Sequence, residues 1–487
     1  MSTDNPWFRR EGLALLTDFY ELTMMAGQWK EDRANQRVAF NYFFRDLPPH
    51  TGFAVFAGLE PFLDYLTHLQ FSEEDLDYLR SLKVFDEGFL EHLKGFRPRC
   101  TVQAIPEGTL VYPYEPILQV EGTIFESLLI ESAMLNILNY QTLIATKAAR
   151  ICLAASGDPV MEFGLRRAHG PDGAVSASRA CYIGGCTNTS NVLAGKAFGI
   201  PVAGTHAHSW VMSFPSELEA FRTFARHYPD RCVLLVDTYD TVKSGVPNAI
   251  TVFKEMHAAG IPVRPAIRLD SGDLSRLSKI AYQKMAEAGL ENPLIVASND
   301  LDEELIVDLK RQGAKINAWG VGTHMVTAYD SPALSGVYKL VALQEGGQWQ
   351  SRMKISSNIE KATDPGRKRL IRYFDGEDQP LCDVICLDGE LEPAAGPVRG
   401  RNRLWPNRKV EFGPAARGED LLQTVFADGQ RVLASPPVTA VRDHALAQID
   451  ALPEEFKRMR NPHIYRALLS EELGAMKDRM LSNPELA

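Results

Sequence analysis

Apolar residues along this chain change their period several times, and the changes mark out its organisation. In DFYELTMMAGQWKE, Phe19, Leu22, Met25 and Trp29 recur at intervals of three and four, which predicts an amphipathic helix with one buried face. Asp18 and Glu21 stand three apart at its start, the spacing of a capping box. RVAFNYFFRDLP then predicts an aromatic strand ended by proline, and SEEDLDYLRSL and DEGFLEHLKGF predict two short capped helices. The period shortens to two in CTVQAIPEGTLVYPYEPILQVEG, a β-rich stretch punctuated by Pro and Gly. ESLLIESAMLNILNYQTLIATKAARICLAA predicts one long helix.

From about residue 159 short apolar runs end in polar clusters, near residues 163, 206, 238, 270, 299 and 322. Roughly 25 to 45 residues separate successive ends, room for a strand, a loop and a returning helix. Consecutive parallel strands covered by helices can close into a barrel whose reactive groups gather at the C-terminal strand ends. Here those ends carry Arg, His, Asp, Ser and Asn. An open doubly wound sheet would concentrate polar groups at one switch point. The reading is therefore an irregular α/β barrel. Beyond residue 335, GVYKLVALQEGGQWQSRMKISS predicts a hairpin with a Gly-Gly turn, and ATDPGRKRLIRYF a basic turn and strand. The expected division is residues 1–135, a barrel over 136–335, and 336–487 returning to the N-terminal β-rich part.

A length of 487 residues suits two domains, and the net charge of -10 argues against nucleic-acid or membrane-surface partners. It leaves room for a small anionic ligand in a local basic pocket. No run approaches a membrane span, and the opening MSTDNPWFRREGLALL lacks a secretory pattern. Seven scattered cysteines fit reduced thiols in the cytoplasm. Cys382 and Cys386 form C-x-x-x-C without a second pair, so they read as buried structural thiols rather than zinc ligands.

Four of the strand ends carry groups suited to anions. EFGLRRAHGPDG holds Arg166 and Arg167, whose guanidinium forks suit carboxylate or phosphate. YIGGCTNTSN leads through Gly184 and Gly185 to Thr187, Asn188, Thr189 and Ser190 ahead of a helix, without being a Walker loop. IRLDSGDL gathers Arg268, Asp270, Ser271, Gly272 and Asp273, which suit an anion, ribose hydroxyls or Mg2+. GVGTHM offers Gly320, Gly322 and Thr323 for a phosphate. Each fragment alone has an ordinary loop explanation; together they point to a substrate with several phosphates. GIPVAGTHAHSW adds His206 and His208, which strand alternation would aim to one side. That pair is open to a metal site, a base with its neighbour, or a packed loop.

The order and spacing of LLTDFYELTM, EFGLRRAHGPDG, GTHAHS, RLDSGDL, ASNDLDE and GVGTHMVTAYDSPALSGVYKLVA resemble the nicotinate phosphoribosyltransferase family. The resemblance covers roughly residues 12–370, with a compatible LPEEFKRMRNPHIYR near the end. It implies the type II phosphoribosyltransferase fold, an irregular α/β barrel with a split N-/C-terminal α+β domain, and a head-to-tail homodimer with shared active sites. The implied reaction joins nicotinate to phosphoribosyl pyrophosphate, coupled to ATP and requiring Mg2+ held mainly by substrate phosphates. Residue by residue, the resemblance makes His208 a transient phosphohistidine and Asp270 its catalytic companion at the ribosyl group. Tyr20, Phe163, Arg166, Asn188, Thr205 and Arg268 would meet nicotinate, with Tyr20 reaching the partner subunit's pocket. Arg167, Ser271, Gly272, Gly322 and Thr323 would hold phosphoribosyl and phosphate groups. His206 falls where the family varies, and His169 stands where many relatives carry Gln. The alternatives are a nicotinamide or quinolinate phosphoribosyltransferase, or a metal-dependent barrel hydrolase built on His206 and His208.

Overall fold

The computed structural model describes residues 12–358, 361–403, 409–483 and 485. The first eleven residues, which include most of the segment read for a leader, lie outside the described residues. The chain divides into two units, residues 1–143 with 333–487, and residues 144–332.

In the first unit the amphipathic helix forms at Phe19–Lys30 and buries Leu22 and Met25, while Phe19 is half exposed. Its predicted capping box is absent. Asp18 occupies the N-cap position without a cap bond, and its carboxylate instead accepts from the Ser132 hydroxyl at 2.7 Å. Glu21 shares its helix face with Met25, four residues on, so burying that face carries the carboxyl inward, away from the cap. The two short helices form at Glu73–Ser81, with a Ser72–Asp75 capping box, and at Glu87–Lys94. The predicted long helix breaks at Ile130 into Ile124–Leu129 and Glu131–Ala155, the first started by a Thr123–Glu126 capping box.

A seven-stranded antiparallel sheet orders Gln348–Ser351, Gly336–Glu345, Arg37–Phe44, Leu118–Thr123, Thr101–Ala104, Gln423–Ala427 and Gln430–Arg431. The hairpin joining its first two strands turns on Gly346 and Gly347, at φ 57° and 81°, the pair of positive angles that a tight twisted hairpin demands. From the C-terminal part, Gly336–Glu345, Gln348–Ser351, Gln423–Ala427 and Gln430–Arg431 return to this sheet. Strands from 368 to 420 and Ala467–Leu469 build a separate six-stranded sheet. Their inward residues Ile371, Tyr373, Cys382, Val384, Cys386 and Leu468 form one core. Cys382 and Cys386 point to the same face because they lie four apart on a strand.

The second unit is a parallel sheet in the order Asn188–Thr189, Val160–Glu162, Ala318–Val321, Leu294–Ser298, Ala266–Leu269 and Val233–Leu235. Helices follow these strands, among them Gly170–Ile183, Val246–Ala258, Leu274–Glu287 and Glu303–Arg311. The strand expected over 199–206 contracts to one bridge, Val202 on Thr189. No helix among the described residues is long and apolar enough to cross a membrane. All seven cysteines are free thiols.

Candidate active site at the strand ends

The C-terminal strand ends of the second unit collect the polar residues that the periodicity singled out, and buried groups behind them fix their directions. Where Val160–Glu162 ends, the buried Glu162 carboxylate accepts from the Gly164 amide, from Ser178 Oγ at 2.9 Å and from Thr189 Oγ1. Burial raises its pKa and these three donors lower it. The clamp turns the chain sharply, so Leu165–Arg167 form a single 3-10 turn with both arginines exposed. Phe163 lies against the adjacent strand, where a Cβ on Gly320 would sit 2.7 Å from its ring. A Cβ on Gly164 would sit 2.3 Å from Val326, so this turn needs glycine for close packing.

Arg268 is half buried on Ala266–Leu269. Its Nη2 donates to the His206 carbonyl at 3.1 Å, and its Nε is buried with no partner. Burial pushes its pKa down; Asp270 and Asp237 oppose that, and the nearby Arg166 cation adds to it. Two guanidinium groups close enough to repel, one with an unspent buried donor, call for an anion. The Thr205 hydroxyl also donates to the His206 carbonyl, at 3.1 Å, which gathers Thr205 and Arg268 around one oxygen.

At the next turn the Asp270 amide and the Ser271 hydroxyl both donate to Asp237 Oδ2, at 2.9 and 2.6 Å. Ser298 Oγ donates to Asp270 Oδ1. Gly272 follows at φ 76°, which lets the loop reverse. His208 opens the short helix His208–Met212, with Nδ1 3.1 Å from Thr238 Oγ1 and Nε2 3.8 Å from Asp270 Oδ2. Gly322 and Thr323 follow the strand Ala318–Val321 and are partly exposed.

His206 and His208 do not share a side. The chain leaves the strand after one bridge, Ala207 caps the helix, and the alternation that would have aligned them is lost. His206 is buried, its Nε2 accepting from the Leu235 amide at 3.2 Å and its ring against Phe224 at 4.8 Å. Burial pushes its pKa down to about 4, with the Arg268 and His208 charges adding to that, while a contact with the Ala207 carbonyl opposes it. A ring nitrogen spent on a backbone amide is no metal ligand, which removes the H-x-H basis of a metal hydrolase.

The fold thus brings Thr205, His208, Arg166, Arg268, Asp270 and Ser271 together, with Phe163 and Gly322 just past the ends of two neighbouring strands. Asn188 sits on the edge strand with a buried, unpartnered Oδ1. Tyr20 belongs to the first unit and is half exposed on its helix. His169 is the N-cap of Gly170–Ile183 and makes no side-chain cap bond. Sequence reading passed over Asp237, Thr238, Ser298 and Glu162. The first two stand where the apolar run CVLLV turns polar, so the strand-end signal was there to find them.

Asp237 also bears on metal binding, because its Oδ1 is buried without a partner. Among the described residues no group of three or more His, Cys, Asp or Glu is placed to hold a metal ion. The Asp237 and Asp270 carboxylates are hard oxygen donors of the kind that suits Mg2+.

Comparison with known proteins bears on the same residues. The profile of the nicotinate phosphoribosyltransferase (NAPRTase) family matches residues 159–373, the whole strand-end site. The family's N-terminal domain matches 15–139 and its C-terminal domain 367–477. A nicotinate phosphoribosyltransferase of Bacillus subtilis is 43% identical over 477 residues, 96% of this chain and 95% of that protein. A Homo sapiens nicotinate phosphoribosyltransferase is 36% identical, covering 97% of each chain. The crystal structure of human nicotinic acid phosphoribosyltransferase superimposes with a TM-score of 0.84 at 33% identity, over 95% of this chain and 99% of that one.

Proposed function

Because the chain belongs to the nicotinate phosphoribosyltransferase family and is an enzyme, we propose that it joins nicotinate to phosphoribosyl pyrophosphate, coupled to ATP through His208. The products are nicotinate mononucleotide and pyrophosphate, with ADP and phosphate from ATP. The observation that carries this reading is Arg268, a half-buried guanidinium with an unspent Nε, within reach of the Arg166 charge and standing two residues before Asp270. A planar carboxylate is the anion such a pair of forks accepts best. Nicotinamide lacks that charge, and so is the poorer match.

Nicotinate attacks through its ring nitrogen, which is already a nucleophile, so the protein's task is positioning. Phe163 and the partner subunit's Tyr20 supply aromatic faces for the ring, and Thr205 and Asn188 polar contacts at its edge. As pyrophosphate leaves C1, the ribose gains positive charge, and Asp270, anchored by Ser298, stabilises it. Arg167, Ser271, Gly272, Gly322 and Thr323 hold the phosphate groups. Asp237 and Asp270 would hold Mg2+, which would offset the charge of the pyrophosphate. With His208 Nδ1 held at Thr238, Nε2 is the nitrogen left open to take the γ-phosphoryl group of ATP, releasing ADP. Water later takes that group, regenerating the imidazole and drawing the reaction forward.

The exposed apolar edge of Leu16, Phe19, Tyr20 and Met24 supports a homodimer in which Tyr20 enters the partner subunit's site. Seven free thiols support a reducing, cytoplasmic setting.

The test supplies Mg2+, labelled nicotinate and phosphoribosyl pyrophosphate, with and without ATP, to the wild type and His208→Ala. Mononucleotide that rises with ATP in the wild type, and much less in the variant, is the expected result. Turnover of nicotinamide or quinolinate in place of nicotinate would overturn the substrate assignment. An equal ATP response in both proteins would overturn the phosphohistidine.

A further inference from the structure

His206 looks at first like a packed bystander, yet three parts of the site converge on it. Its ring is one. In the parallel pairing of Val233–Leu235 with Ala266–Leu269, the Val236 amide donates to the Arg268 carbonyl. Amides alternate along a strand, so the Leu235 amide faces away from that ladder. Among the described residues no strand stands there to receive it: Val233–Leu235 is the edge of its sheet, and the 199–206 segment makes a single bridge, to Thr189. His206 Nε2 accepts the Leu235 amide at 3.2 Å in the place of a ladder carbonyl. Phe224 and Phe221 wall the ring in, at 4.8 and 5.9 Å.

The second is the His206 carbonyl, which accepts from both Arg268 Nη2 and Thr205 Oγ1. The third is the next peptide: Nδ1 lies 3.4 Å from the Ala207 carbonyl, and Ala207 caps the helix that begins at His208. With Nε2 accepting from a backbone N–H, Nδ1 must carry the ring proton, so one neutral tautomer serves both contacts.

We propose that His206 is a positioning residue, whose ring closes the seam beside Leu235 so that its own carbonyl holds Thr205 and Arg268 in register for nicotinate. It touches no substrate; it acts through those two side chains. The assignment of Thr205 and Arg268 to nicotinate rests on the function proposed above.

Reach separates this role from simple packing. His206→Gln places an amide oxygen where Nε2 stood, whereas His206→Asn is too short to span to Leu235. Both are neutral amides, so they differ chiefly in that bond. Steady-state kinetics at saturating ATP should show His206→Asn with a nicotinate KM raised at least about tenfold. Its KM for phosphoribosyl pyrophosphate should stay within about twofold, and His206→Gln should stay within about threefold of the wild type in both. Gln and Asn variants that behave alike would overturn the proposal. So would a rise in both KM values together with a fall in kcat.

Hydrogen exchange on the wild type gives a test that needs no variant and no substrate. The Leu235 amide should exchange as slowly as the ladder amides of its strand, and exchange at the rate of an exposed loop would overturn the seam. A wild type that ignores nicotinate altogether would overturn the substrate reading instead, with the Leu235 exchange still deciding the seam.

Discussion

At the scale of single residues, the site is governed by what burial does to charge. Arg268 keeps its charge under partial burial because Asp270 and Asp237 stand near it, and its spare donor is free for a ligand. Arg268→Ala should raise the nicotinate KM roughly tenfold to a hundredfold, the worth of one or two charge-assisted hydrogen bonds, measured against a smaller change for phosphoribosyl pyrophosphate. Arg268→Lys should rescue little, since an ammonium lacks the fork. Glu21 shows the opposite balance. It is fully buried, and burial with the Glu131 and Asp18 charges raises its pKa to about 7, against opposing contributions from the Tyr20 hydroxyl and Lys339. A carboxyl whose folded pKa is raised contributes stability that is complete below its ordinary value of 4.5 and lost as the pH climbs through 7. Thermal melts of Glu21→Gln should match the wild type near pH 4.5. Its advantage should then grow with pH, by at most about 1.4 kcal/mol per unit, and level off above 7. A constant offset at every pH would mean that Glu21 does not titrate in this range.

Elements set the distances at which those residues meet. Strands ending side by side put consecutive ends about 5 Å apart, so a rim of five or six can address the base, ribose and phosphates of one ligand together. Gly320 is the clearest case of an element making room for function, since a methyl group there would press on the Phe163 ring. Gly320→Ala should cost about 1–3 kcal/mol in denaturant titrations and raise the nicotinate KM through the displaced ring. A KM unchanged from the wild type would mean that Phe163 is not part of the base pocket. Thr238, at the end of Val233–Leu235, orients His208, and Thr238→Val should slow labelling of the protein by γ-labelled ATP while leaving its melting temperature within a few degrees. The elements also explain where pattern reading slipped. The Asp18 cap went to Ser132, which lies 114 residues along the chain and is invisible to any local window.

The whole molecule divides the work between a unit rich in antiparallel sheet and a parallel unit carrying the strand-end site. If the homodimer shares its sites, mixing Tyr20→Ala with His208→Ala, each nearly inactive alone, should restore roughly a quarter of wild-type activity, because half the dimers carry one intact site. No recovery after co-refolding would mean that Tyr20 and His208 act within one chain, or not together. Sequence alone determined the parallel βα series, since apolar runs ending in polar clusters are a local pattern that strand burial imposes. It likewise determined which strand ends carry charge, and the order of segments that marks the family. Only the tertiary structure decided that His206 and His208 part company, that Asp237 underpins Asp270, and that Glu162 ties the arginine turn to Thr189. Those outcomes depend on hydrogen bonds between residues about 27 to 34 apart in the chain, formed once the strands lie side by side. Periodicity tells which residues turn inward; it carries no information about which buried donor finds which acceptor.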